Sequence, residues 1–225
     1  MGTQERKERE KEHRREEILN AAQSVFFGKG LQVATMDEIA QVAELSKGTL
    51  YLYYKSKEDL YLAVLIRGME TLYGMFVEAI STDRPTIEQL KSLSETYFEF
   101  FNKERNYFRM MNFFLHPEFH KQVSREMLDA CSVENQRTWN LVIDLLEKGV
   151  TEGILRQDLT SAETAAFLWL SLTAILVRLD TQYEEFKNQL NVDLRELYRK
   201  SSSLLLSSIM IPEARQAMGS PLLNT

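Results

Sequence analysis

The sequence predicts an all-α protein, with an N-terminal three-helix head containing a helix-turn-helix joined by a linking helix to a larger helical bundle. Three observations carry this. Apolar residues recur at helical spacing along almost the whole chain, and no convincing alternating strand pattern interrupts them. Only 9 Gly and 4 Pro occur in 225 residues that are 44% hydrophobic, too little turn material for an all-β protein. Finally, Thr35, Ser46, Ser56, and either Thr160 or Ser161, stand just ahead of such helical stretches, as N-caps do.

The elements follow in order. From Arg15, the spacing of Ile18, Leu19, Ala22, Val25 and Phe26 predicts a first helix that Gly28 and Gly30 stop. Thr35 with Glu38 three residues later predicts a capping box for a short helix over 36–43. Ser46 caps a third short helix from Lys47, and Ser56 with Asp59 opens a fourth that runs to about Ile80. Pro85 precedes a helix over 86–102, and 105–115 is a shorter one broken before Pro117. Long helices are expected over 119–152, 161–183 and 191–210, the last stopping before Pro212. The domain reading is therefore a head over 13–73, with its helix-turn-helix core at 35–55, and a bundle over 74–212. Residues 1–12 and 213–225 are expected to fray.

Composition excludes several classes. One cysteine, Cys131, can neither staple the chain nor complete a thiolate metal site, which fits a reducing, cytoplasmic setting. The N-terminal QERKEREKEHRREE run is no secretory signal, and the longest uncharged apolar-rich run, Thr164–Val177, has 14 residues, so no membrane partner is expected. The same N-terminal run alternates sign, which favours a solvated helix extension over a nucleic-acid arm. There is no glycine-rich phosphate loop or nucleophile elbow, so neither catalysis nor a cofactor is expected. His116 and His120 have a metal-like look, but Pro117 interrupts the helix that would align them, and no metal site is expected. The net charge is −6, and residues 1–60 hold 10 Lys/Arg against 11 Asp/Glu, so any nucleic-acid signal must be local. The window Leu45–Lys57 supplies one: it contains Lys47, Lys55 and Lys57 and no acid.

A helix entering the major groove needs small or polar residues at its N-terminal end, so that its backbone can approach phosphate and base edges. Ser46, Gly48 and Thr49 meet that need, while Lys47, Tyr51, Leu52 and Tyr53 are placed to touch phosphate, sugar or bases. Tyr54, Leu50, Ile39 and Ala43 read instead as the core joining the short helices. Thr35, the pair Ile39–Ala40, the block Ser46–Tyr51 and the exit Lys55–Leu60 closely resemble the helix-turn-helix of the TetR family of transcriptional regulators. The resemblance covers about residues 13–73; beyond them it extends only to length and helical layout. It implies a ligand-responsive regulator, with repression the expected sign, that binds pseudo-palindromic operator DNA as a homodimer. Lys57 is then a phosphate clamp, and Thr35 holds the opposite backbone. Glu44 departs from the family, which usually has glycine at that turn; a left-handed backbone there costs a non-glycine residue on the order of 1 kcal/mol, so a looser turn is expected.

In the C-terminal part, Phe98, Phe101, Met110, Met111, Phe114, Trp139 and Trp169 form an aromatic and sulfur-rich set drawn from four helices. The bland reading is ordinary core. As a group they suggest an apolar cavity for an apolar or amphipathic effector. The penultimate long helix, from Ala165 to Val177, is apolar nearly all round, so a homodimer built on the last two long helices is expected. The rival reading is a helical protein-binding adaptor whose basic patch meets acidic partners.

Overall fold

The computed structural model describes residues 3–80, 83–114 and 117–217. In chain order its helices are α1 (Thr3–Val33), α2 (Met36–Val42), α3 (Lys47–Tyr53), α4 (Lys57–Ile80), α5 (Thr86–Lys103) and α6 (Arg105–Phe114). They continue with α7 (Pro117–His120), α8 (Arg125–Thr151), α9 (Ser161–Thr181), α10 (Tyr183–Leu190), α11 (Leu194–Ile209) and α12 (Pro212–Ala217). No strand forms among the described residues; one isolated antiparallel bridge pairs Leu155 with Met210.

The chain divides into two compact units, Met1–Thr71 with Glu104–Gln136, and Leu72–Lys103 with Arg137–Thr225. A boundary was expected near residue 73; the units divide after Thr71, and α6, α7 and the first part of α8 fall in the first unit. The reason is what they touch. Gly68 of α4 lies so close to α6 that a Cβ there would sit 2.5 Å from Tyr107 Cδ1. The Tyr107 hydroxyl donates to Gln23 of α1 at 2.8 Å, and its ring meets Phe27 edge-on at 5.0 Å. Tyr61 of α4 is ringed edge-on by Phe26 at 5.2 Å, Phe119 at 5.5 Å and Phe113 at 5.8 Å. The buried Asp59 carboxylate accepts from the backbone N–H of Ser124 at 2.7 Å, tying the start of α4 to the start of α8.

In the second unit, α9 packs on α11 and α11 on α5. Leu172, Leu176 and Leu179 of α9 are buried, as are Leu194, Tyr198, Ser202, Leu206 and Ile209 of α11. Three hydroxyl contacts fix the register. Tyr198 donates to the Ser94 carbonyl at 2.8 Å, Ser94 and Ser202 hydroxyls meet, and Tyr97 pairs with Thr173 at 2.8 Å. Buried hydroxyls without partners would cost on the order of 1 kcal/mol or more each, so this arrangement selects one alignment of the helices.

Several expected boundaries move. Helix α1 begins at Thr3, where fraying was expected, and passes Gly28; it breaks only at Gly30, whose φ of 75° and ψ of 169° are open to glycine, before ending at Val33. The expected 119–152 helix is two, because Ser124 caps α8 with its Oγ accepting from Met127 N–H. The expected 161–183 helix ends at Thr181, and α10 follows as a separate piece closed by Asn191 in the left-handed region. Asp193 then caps α11, accepting from the N–H groups of Arg195 and Glu196, so the last long helix starts at 194. Glu213–Ala217 lies in α12 where a frayed tail was expected. By length and composition α4 and α9 could each span a membrane, but 56% of the apolar window of α4 is buried inside the protein, as in a core helix. In α9 the figure is 28%, so much of its apolar surface faces outward.

Candidate nucleic-acid interface

The head is set by caps. Thr35, with extended backbone, accepts from the Glu38 N–H at 3.3 Å and starts α2. The reciprocal half of the expected capping box does not form among the described residues, because the Glu38 carboxylate turns to Lys29. At the end of α2, Glu44 adopts φ 55°, with its N–H bonded to Gln41 O at 3.1 Å and Leu45 N–H to Ala40 O at 2.8 Å. This pairing is a complete Schellman closure. The turn is therefore tight, not loose as expected: two backbone bonds hold a glutamate where glycine would rest without strain. Ser46 then caps α3, accepting from Thr49 N–H at 3.1 Å while its hydroxyl meets that of Thr49 at 2.8 Å.

Leu50 is fully buried and Tyr54 nearly so, joining α3 to the core as the sequence implied. The Tyr54 hydroxyl accepts from Arg15 Nε at 3.3 Å, a partner the sequence did not suggest, and this bond raises the arginine's pKa further. The opposite face of α3 points outward. Tyr51 is 45% exposed and Leu52 is 84% exposed, beside the exposed Gly48. A Cβ added at Gly48 would meet only Ser46 Oγ, at 3.8 Å, so packing within the protein does not demand glycine there. What the missing Cβ provides is open backbone for something outside the chain. Thr49 and Tyr53 are half-buried at the edges of this face.

The cations are less free than their sequence suggests. Lys47 bonds Asp37 at 2.8 Å across the turn, and this bond raises the lysine's pKa; an incoming phosphate must displace the carboxylate. Asp37 is a residue that sequence reasoning missed, although an acid in the first turn of α2 is a plain signal. Lys57 donates to the carbonyls of Leu31 at 2.9 Å and Ala34 at 3.2 Å, the unsatisfied end of α1. These bonds hold α1 to α4, and an ammonium with three donors has one beyond them.

The expected effector residues fall into both units. Met110, Met111 and Phe114 belong to the first and Phe98, Phe101, Trp139 and Trp169 to the second. Met110 and Phe101 are buried. Trp169 stacks on Tyr97 at 4.6 Å and lies 5.7 Å from Trp139, and Phe98 stacks on Tyr198 at 4.8 Å. His116 lies outside the described residues. His120 stacks on Phe114 and bonds the Phe114 carbonyl at 2.7 Å through Nε2.

Residues 18–64 match the family described as "Bacterial regulatory proteins, tetR family". Over 125 residues the chain is 33% identical to the transcriptional activator FasR of Mycolicibacterium smegmatis, covering 54% of this chain and 57% of FasR. It is 29% identical over 147 residues to the transcriptional repressor KstR2 of the same organism, covering 65% of this chain and 69% of KstR2. The alignment with FasR thus spans little more than half of that protein's length. Among solved structures, FadR from Bacillus subtilis in complex with stearoyl-CoA matches with a TM-score of 0.66 at 20% identity, over 86% of this chain and 98% of that one.

Proposed function

The chain belongs to the TetR family of bacterial regulatory proteins, and from that premise we propose a transcriptional repressor that binds pseudo-palindromic operator DNA as a homodimer and responds to an apolar or amphipathic effector. The observation that carries the DNA reading is the outward face of α3, with a serine cap, a glycine that packing does not require, and Tyr51 and Leu52 left bare. In this reading Gly48, Thr49 and the N-terminal N–H groups of α3 approach the backbone. Lys47, Tyr51, Leu52 and Tyr53 reach bases and sugars, Ser46 and Thr35 cap and contact phosphate, and Lys57 adds its remaining donor.

The dimer reading rests on α9, which carries two apolar stripes. One is spent on α11. The other, with Leu170 at 67% exposure, Phe167 and Ala174, is bare, and Leu197 and Leu204 of α11 are also exposed. Leu194 and Ile209 of α11 turn inward and belong to the core. A second copy related by two-fold symmetry would cover the bare stripe with its own. The effector reading draws on the aromatic group Phe98, Phe101, Trp139 and Trp169 and on the stearoyl-CoA bound by FadR from B. subtilis.

The test is selection of duplexes from a random-sequence pool, followed by affinity measurements over a salt series. The expected outcome is an enriched inverted repeat whose affinity falls steeply with salt. Failure to enrich any sequence would favour the adaptor reading. The sign of regulation is read from a reporter driven by the selected operator, with and without the protein.

A further inference from the structure

The first unit contains a cleft of about 520 Å³ between the kinked end of α1, α4 and α6, lined by none of the proposed DNA-contacting residues and by only Met110 of the effector candidates. Its walls are the rings of Phe26, Phe27, Tyr61 and Phe113 with the soft thioether side chain of Met110. Among the described residues the two charged ones lining it, Lys29 and Arg109, are both cations and each already has a partner within the protein, Glu38 for Lys29, which a ligand carboxylate would share. On the α1 side the mouth is open, since a Cβ on Gly28 or Gly30 would meet nothing within 4 Å. Tyr61 is the telling residue. It is only 4% exposed, and its hydroxyl makes no hydrogen bond to the described residues but is not buried away from solvent. Burial pushes that hydroxyl's pKa far up, so it remains a proton donor throughout the working range of pH. A ligand oxygen in the cleft would take that hydroxyl's bond in place of water.

We propose that this cleft is a binding site for a small aromatic acid, separate from the effector region of the second unit. The ring edge-packs among Phe26, Tyr61 and Phe113, an acceptor on the ligand takes the Tyr61 hydroxyl, and the carboxylate lies toward Lys29 and Arg109. The volume suits one or two fused rings, and four aromatic walls favour flat rings over a flexible chain, through the same edge-to-face geometry they use with one another. The site touches the segment that Lys57 holds through the Leu31 carbonyl, and Lys29 pairs with Glu38 of α2, so an occupant borders the residues that position the head.

The test uses the full-length protein and 2-naphthoate as probe, followed by calorimetry, with melting temperature as the folding control and no DNA present. Saturable binding is expected, with the uncharged 2-naphthylmethanol about tenfold weaker because it lacks the carboxylate. Tyr61→Phe, which removes one oxygen without a protein partner, should leave the melting temperature unchanged and weaken 2-naphthoate about tenfold. Asn106→Trp, at the rim, should fill the cleft and abolish binding. The proposal is overturned by the absence of saturable binding at millimolar probe, or by binding that neither substitution alters.

Discussion

In the head, the caps and the turn that bound α2, α3 and α4 each span a few residues of chain. Thr35 reaches Glu38, Ser46 reaches Thr49, Ser56 reaches Asp59, and the turn at Glu44 closes on Ala40 and Gln41. In the second unit the deciding polar contacts reach across the chain. Tyr97 finds Thr173 at a separation of 76 residues, Tyr198 finds Ser94 at 104, and Ser94 finds Ser202 at 108. The outward faces differ as well. The head presents cations, a glycine and an aromatic ring, suited to a charged polymer, whereas α9 presents a bare apolar stripe suited to a copy of itself. A surface built for DNA can remain polar and wet between encounters; a large apolar stripe is costly until it is covered.

Attacking that second surface should have the largest effect. Leu170→Glu with Leu204→Glu changes residues that are exposed in the single chain, so folding should survive. Sedimentation should then show monomers, and operator affinity should fall at least about 100-fold because one head reaches one half-site. An unchanged dimer would place the interface elsewhere.

Glycine positions sharpen the comparison next. A Cβ at Gly68 in the first unit would press on Tyr107 Cδ1, Cγ and Cβ, all within 2.9 Å, and an aromatic side chain held at both ends cannot swing aside. At Gly149 in the second unit the nearest atoms are the Leu155 Cδ1 and Cγ, at 2.7 and 2.9 Å, which a change of rotamer can move. Gly68→Ala should therefore cost about 2–3 kcal/mol in chemical denaturation and Gly149→Ala about 1 kcal/mol. Equal costs would contradict the picture of a rigid α4–α6 contact.

Lys57→Ala separates folding from DNA contact within one residue. Loss of the bonds to Leu31 and Ala34 should lower stability by about 1–2 kcal/mol, and loss of the remaining donor should lower the salt slope of operator binding by about one. A drop in DNA affinity without any drop in stability would mean that Lys57 serves phosphate alone. The smallest expected change is a gain. Glu44→Gly relieves a left-handed glutamate inside a closed turn and should stabilise the head by up to about 1 kcal/mol. A loss there would show that the glutamate side chain makes a contribution outweighing its backbone strain.

The contrast between local and distant contacts also explains what could be read in advance. Thr35, Ser46 and Ser56 were legible as caps, and Thr160 as one of two adjacent candidates, because a cap and the N–H it satisfies lie within one turn. The inward placing of Leu50 and Tyr54 followed from helical spacing. The split at Ser124 was missed although serine stands one residue before α8, because the apolar pattern carries on through Phe119 to Leu128 without a break in period. The left-handed Asn191 and the Asp193 cap are similarly local signals, hidden by reading 191–210 as one stretch. Other features could not be read at all. That Lys57 turns to α1 carbonyls, that Lys47 is held by Asp37, or that Phe113 and Phe119 ring Tyr61 depends on which helices meet. The division of the seven effector candidates between two units has the same origin, since residue type reports softness and size but not the neighbour.

The central claim is that the bare face of α3 reads duplex DNA, and the most direct measurement pairs operator affinity with stability for Tyr51→Ala and Gly48→Leu. Both residues are exposed, and a Cβ at Gly48 would meet only Ser46 Oγ, at 3.8 Å. For Tyr51→Ala the melting temperature should stay within a few degrees of the parent, with operator affinity down about tenfold and discrimination against a scrambled duplex reduced. Gly48→Leu should abolish specific binding while the protein remains folded, because the added side chain stands where the DNA backbone must approach. Parent-like affinity and selectivity in both folded variants would contradict the claim.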